Sequence, residues 1–194
     1  MIAAPYGVFC LMASTFAKQG LAVFIPLASY FFTISLTLLF HGFVTLPLLL
    51  KSQGLSPLTF FKKFNQVQVF AFSTASSNAT IPVNIEVSTH DLGVDNSVAS
   101  FTLPLGATIN MDGTAIMQGV ATIFVSNLYQ IPLSFMDLVT VIGMSILASI
   151  GTAGVPGVGL IMLAMVFEQV GLPTEGIALI LGSIGVLIIT WSEY

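Results

Sequence analysis

Residues 106–115 read GATINMDGTA, an Asn, a Met and an Asp set together inside an apolar stretch that runs from 101 to 124. Only 6% of the chain is charged, and a chain so poor in charge does not bury Asp112 for packing. An ionised carboxylate at bilayer depth costs at least ~3 kcal/mol on insertion scales. A cation, a proton or an aqueous cavity offsets that cost, so the stretch reads as an ion site inside a membrane protein. The competing reading is a protonated Asp112 hydrogen-bonded to a neighbouring helix. Gly106, Gly113 and the threonines between and beside them favour local unwinding of the long run at 100–128. Unwinding frees carbonyl oxygens for a hard cation.

The rest of the composition agrees. Of 194 residues 56% are hydrophobic, and the mean hydropathy is +1.02, outside the range of soluble domains. Eight acids against four lysines, with no arginine, exclude an electrostatic nucleic-acid binder. The one cysteine, Cys10, leaves no intramolecular disulfide or metal cluster to argue for. The first residues, MIAAPYGVFCLMAS, lack the basic region and cleavage site of a signal peptide. The expectation is an all-α, multi-pass integral membrane protein.

The run at 2–17 is short for a span of ~20 residues and reads as a helix missing its beginning. The run at 22–50 is long enough to cross with tilt, with Pro26 near its start and Pro47 near its end. His41 lies inside it, as a hydrogen-bonded packing residue or a proton relay. Lys51, Lys62 and Lys63 follow, against Lys18 before it, and place a connector at 51–66 in the cytoplasm.

Two places break the pattern of full spans. At 67–92, two short halves flank the polar centre Ala75–Thr80, ASSNAT. Neither half spans alone, so a re-entrant hairpin with its tip inside the protein is expected; the plainer reading is an amphipathic surface helix broken by Pro82. At 137–171, two half-spans flank GTAGVPG at 151–157. Three glycines and a proline in seven residues do not stay helical, so this is a second hairpin with a movable tip. Broken segments in two corresponding places, each after a longer run, point to inverted repeats with a binding site between the tips.

From about residue 5 to 181 the chain resembles the dicarboxylate/amino acid:cation symporters, the glutamate-transporter family. The likeness rests on SFTLPLGATINMDGTA at 100–115 and SIGTAGVPGVG at 149–159, with SSNATIP at 76–82 and APYGVF at 4–9. It implies a scaffold helix remnant at 1–20 and a transport-domain core at 21–181. That core would hold a long helix, the connector at 51–66, a hairpin at 67–92, an unwound helix at 100–128 and a gating hairpin at 137–171. It implies cation ligands at Asn110 and Asp112, a thioether contact from Met111, and backbone ligands at Gly106, Thr108, Ser149, Ile150 and Thr152. Substrate would touch Ser76, Ser77, Thr114, Val155 and Gly159. Sodium or a proton would be the coupling ion, with no other cofactor.

The chain also departs from that family. Its first four helices are absent, including a cation-ligating third helix and much of the trimerisation scaffold. The last twelve residues, 183–194, read SIGVLIITWSEY and lack the substrate-reading aspartates, arginine and asparagines. Residues 182–194 thus read as an aberrant tail, of the kind a frameshift leaves. The function expected at family level is cation-coupled symport of an amino acid or dicarboxylate across the cell membrane. The alternative is a non-transporting gene fragment or assembly remnant. The chain alone is expected neither to form the family's homotrimer nor to transport, with lipid and a small acid as its remaining partners. An intramembrane aspartyl protease needs two facing acids, and no second acid lies in an apolar span, so no enzyme is expected.

Overall fold

The computed structural model describes residues 24–151, 154 and 158–183, together with Cys10, Ala13, Ala17 and Gly20. The remnant helix assigned to 1–20 and the tail from 184 on therefore lie outside the described residues, apart from those four. The described elements are all helical. They are α1 (Phe24–Phe40), a π-turn (His41–Thr45), α2 (Leu46–Ser52), α3 (Pro57–Thr74), α4 (Ser77–His90), α5 (Asn96–Ile109), α6 (Asp112–Tyr129), α7 (Phe135–Gly151), α8 (Val158–Gln169) and α9 (Gly176–Ser183).

Ile25–Ser52 forms one apolar helix through α1, the π-turn and α2, 28 residues long and thus sufficient to cross a bilayer. The π-turn has a local cause. Pro47 carries no N–H, and its ring crowds the carbonyl four residues back. The helix widens in the preceding turn, where the Leu46 N–H donates to the His41 carbonyl. The outer face of this helix is left bare, with Ile25, Phe32 and Leu36 of α1 and Phe43 of the π-turn exposed.

α3 and α4 pack side by side as a helical hairpin. Its first arm begins at Pro57, not at 67. Part of the expected polar connector is thus helix, opened by a Ser56-Pro57 start that needs no apolar residues. Pro82 does not break α4, which removes the reading of a surface helix interrupted there. At the hairpin base the Lys63 ammonium donates to the Asp91 carbonyl at 2.6 Å, holding the end of α4 against the start of α3. α7 and α8 likewise pack together, and their helices stop and start at Gly151 and Val158.

α6 is the central helix and packs on α1, α7 and α8. Its face Met117–Ala121–Val125, at four-residue spacing, meets Tyr30 and Ile34 of α1 and Leu160, Leu163 and Phe167 of α8 in one buried cluster. α1 and α6 run antiparallel: the Tyr30 and Phe124 rings lie 4.9 Å apart, and His41 lies beside Asp112 at the other end. Where α9 starts, Gly176 approaches Val125 so closely that a β-carbon would sit 2.7 Å from its methyl.

Candidate functional site

The run at 100–128 is two helices, not one. α5 ends at Ile109 and α6 starts at Asp112. Between them Asn110 (φ −126°, ψ 68°) and Met111 (φ −103°, ψ 67°) leave the helical region altogether. The Asn110 N–H still donates to the Gly106 carbonyl at 2.9 Å. Beyond that bond, the break removes the intrahelical donors that the last carbonyls of α5 would otherwise meet. The Thr108 hydroxyl donates to the Pro104 carbonyl, and the Thr108 carbonyl is among those the break leaves without a helical donor. Met111 is buried and Asn110 exposed. Asp112 stands in the first turn of α6, where the helix dipole favours a negative charge.

Asp112 is not isolated. His41 Nε2 lies 3.3 Å from its Oδ2. A partner on a neighbouring helix is what the competing reading required, and here that partner is an imidazole. One signal for it was present in the sequence. Tyr30 and Ile34 of α1 and His41 at the start of the π-turn are spaced four and seven residues apart, on one face of the continuous helix, the face that packs on α6.

The two hairpin tips meet. Ser76 caps α4 by accepting from the Ala79 N–H, and its hydroxyl donates to the Gly154 carbonyl at 2.8 Å. The Asn78 N–H donates to the same carbonyl at 3.2 Å. A β-carbon at Gly154 would sit 2.9 Å from Asn78 Oδ1 and 3.1 Å from its backbone nitrogen, so only glycine fits this approach. Ala75, at the end of α3, takes the left-handed conformation (φ 48°) that turns the chain into α4. A few residues after Gly154, Gly159 lies against Thr114, whose methyl would be 3.2 Å from an added β-carbon. Fully buried Gln118 stands beside it, with its Nε2 at 3.5 Å from the Gly159 carbonyl and its Oε1 unpartnered among the described residues.

Of the expected substrate residues, Ser76 and Ser77 thus meet Gly154 of the second tip, and Thr114 meets Gly159; Val155 lies outside the described residues. Of the expected cation residues, Gly106, Thr108, Asn110, Met111 and Asp112 surround one helix break. Ser149 and Ile150 stand at the end of α7, which packs on α5, and the Ser149 hydroxyl is bonded to Ile146. Thr152 lies outside the described residues. Asn78, Gly154 and Gln118 were not among the expected site residues, and His41, expected as a hydrogen-bonded packing residue or a proton relay, was not expected beside Asp112. The donor set at the break is dominated by oxygen, with a carboxylate, a side-chain amide and backbone carbonyls, and that fits a hard cation. Among the described residues no cluster of His, Cys, Asp and Glu suits a transition metal.

These features define an all-helical core in which two hairpin tips meet and a broken helix presents oxygen atoms, and comparison with known proteins supplies its class. The profile of the sodium:dicarboxylate symporter family matches residues 1–187, and the chain belongs to that family. The match runs into the stretch read as an aberrant tail. The chain is 41% identical over 179 residues to an excitatory amino acid transporter of Caenorhabditis elegans, which covers 91% of this chain and 36% of the relative. It is 38% identical to human excitatory amino acid transporter 2, covering 91% of this chain and 31% of the relative. Human excitatory amino acid transporter 1 is also 38% identical, over 92% of this chain and 33% of its own length. The chain thus spans about a third of the length of these relatives. The family is one of symporters, not of enzymes.

Proposed function

We propose that this chain forms the cation- and substrate-binding core of a sodium-coupled symporter carrying an amino acid or a dicarboxylate across the cell membrane. The observation that carries the reading is the helix break at Asn110 and Met111, which sets a carboxylate and open carbonyl groups at one point. Asn110 and Asp112 supply oxygen ligands, Met111 a thioether contact, and the backbone at Gly106, Thr108, Ser149, Ile150 and Thr152 the remainder. Substrate lies between the two tips, against Ser76, Ser77, Thr114, Val155 and Gly159. In this reading both hairpins are re-entrant, residues 51–66 face the cytoplasm, and the second tip is the gate. Irregular backbone at membrane depth is tolerated where it lines such a cavity.

The purified chain in lipid nanodiscs, titrated calorimetrically with sodium and with amino and dicarboxylic acids, tests this. Substrate binding is expected to need sodium, and Asp112→Asn to weaken sodium binding by about 100-fold. Aspartate and glutamate are expected to show no tight site, because the chain offers no arginine fork for a second carboxylate. Equal affinity for sodium and potassium, or an Asp112→Asn variant that binds sodium normally, would overturn the proposal.

A further inference from the structure

We infer that His41 is the positioning residue of the cation site, holding one oxygen of the Asp112 carboxylate so that the other is presented to the ion. The inference rests on Asp112 being a cation ligand, as proposed above. Its own basis is the approach of His41 Nε2 to within 3.3 Å of Asp112 Oδ2 across two separate helices.

The chemistry fixes the direction of the contact. An ionised carboxylate only accepts, so in the arrangement inferred here Nε2 is the atom that carries the hydrogen toward Oδ2. Among the described residues Asp112 is the sole side-chain partner of the imidazole, and His41 the sole side-chain partner of the carboxylate. Oδ2 is therefore occupied and Oδ1 is available. Imidazole is a poor ligand for a hard monovalent ion that prefers oxygen, so His41 acts on the ion through Asp112. Partners of this kind hold a ligand's orientation, and losing one typically costs 10–100-fold in ion affinity.

The fold gives His41 a fixed base. It continues the α1 face of Tyr30 and Ile34, both almost wholly buried against α6. It is also the first residue of the π-turn, the type of irregular turn that recurs at functional sites. Asp112, by contrast, follows two non-helical residues and has a side chain about half exposed (47%). The rigid helix carries the imidazole, and the imidazole restrains the carboxylate at the break.

The test uses the full chain in nanodiscs at pH 8.5. Sodium affinity is measured for wild type, His41→Gln, His41→Leu and Asp112→Asn, with helicity followed by circular dichroism. The amide of Gln replaces the N–H donor, so His41→Gln is expected within about threefold of wild type, and His41→Leu about tenfold or more weaker. A leucine variant with wild-type affinity, or a glutamine variant as weak as the leucine one, would overturn the positioning role. If Asp112→Asn leaves sodium affinity intact, the cation-site reading itself fails; if it removes binding while His41→Leu does not, only the positioning role fails. A second readout needs no change at His41. The chain has two histidines, so nitrogen-15 NMR with His90→Gln as the assignment control reports His41 directly. The Nε2–H form and a sodium-dependent shift that Asp112→Asn removes are expected. An Nδ1–H form would refute the contact.

Discussion

Two long apolar helices are interrupted in this molecule, and the two interruptions face each other through His41 and Asp112. In the span Ile25–Ser52 the interruption is a single widened turn, and the helix continues on both sides of it with its backbone bonds rearranged rather than lost. Between α5 and α6 the helix is given up for two residues, and the last carbonyls of α5 are left without helical donors. Proline does not explain the difference. Pro47 sits beside the milder interruption, while Pro82 and Pro104 lie inside unbroken α4 and α5. The complete break occurs where no proline stands, at Asn110 and Met111. The first interruption accommodates a steric clash; the second exposes oxygen.

Healing the complete break should have the largest effect. Asn110→Ala together with Met111→Ala favours a continuous helix through residues 96–129, and sodium affinity is expected to fall by about 100-fold or more with no loss of helicity. Calorimetry and circular dichroism on the same sample check both halves of that statement. A double variant that binds sodium normally would show that the break is not the site.

Relieving the milder interruption should do much less to binding. Pro47→Ala lets the π-turn revert to regular helix. Because His41 only opens the turn and its side chain continues the packed face of α1, sodium affinity should stay within about twofold. The melting temperature should rise by a few degrees, roughly the effect of removing a helix-interior proline that is already partly accommodated. A tenfold loss of sodium affinity would mean that the widened turn itself shapes the site.

The smallest effect is expected away from both interruptions, at the cap of α5. Asp95 accepts from the Ser97 hydroxyl and backbone N–H, and these bonds hold its carboxyl below the ordinary carboxylate range. A group whose folded-state pKa is depressed stabilises the fold above its unfolded value, near ~3.9. That contribution is lost as pH falls through the folded value. Asp95→Ala should therefore lower the melting temperature by no more than about 3 °C at pH 7. The variant and wild type should differ no more at pH 8 than at pH 6, and converge only in acid below the carboxylate range.

What the sequence made readable was local. The break at 110–111 follows from polar residues between glycines, and the end of α7 at Gly151 follows from the glycines and proline beyond it. The length of α1 follows from a long apolar run. The start of α3 was misplaced because hydropathy reports burial in lipid, not helicity. Residues 57–66 carry Lys62, Lys63 and Asn65, yet they coil as well as any apolar run once Ser56-Pro57 has opened the helix. The contacts between distant segments were not readable. Ser76 and Gly154 are 78 positions apart, and nothing in either tip's composition names the other. His41 could be placed on the Tyr30 face, but which helix that face would meet depends on packing across the whole domain.

The tip contact has a consequence for how tightly any anion can be held. One carbonyl, that of Gly154, accepts from two donors of the first hairpin, the Ser76 hydroxyl and the Asn78 N–H. Were the second tip to move away, both donors would lose their acceptor together, and for the buried Ser76 hydroxyl that loss costs about 1–3 kcal/mol. Both donors sit at the start of α4, where backbone and dipole favour a negative group. In the proposed function, a carboxylate bound between the tips would take the place of the departing carbonyl. On that proposal the seated tip would compete for the same donors, and firmer seating would weaken the apparent affinity for an acid bound between the tips.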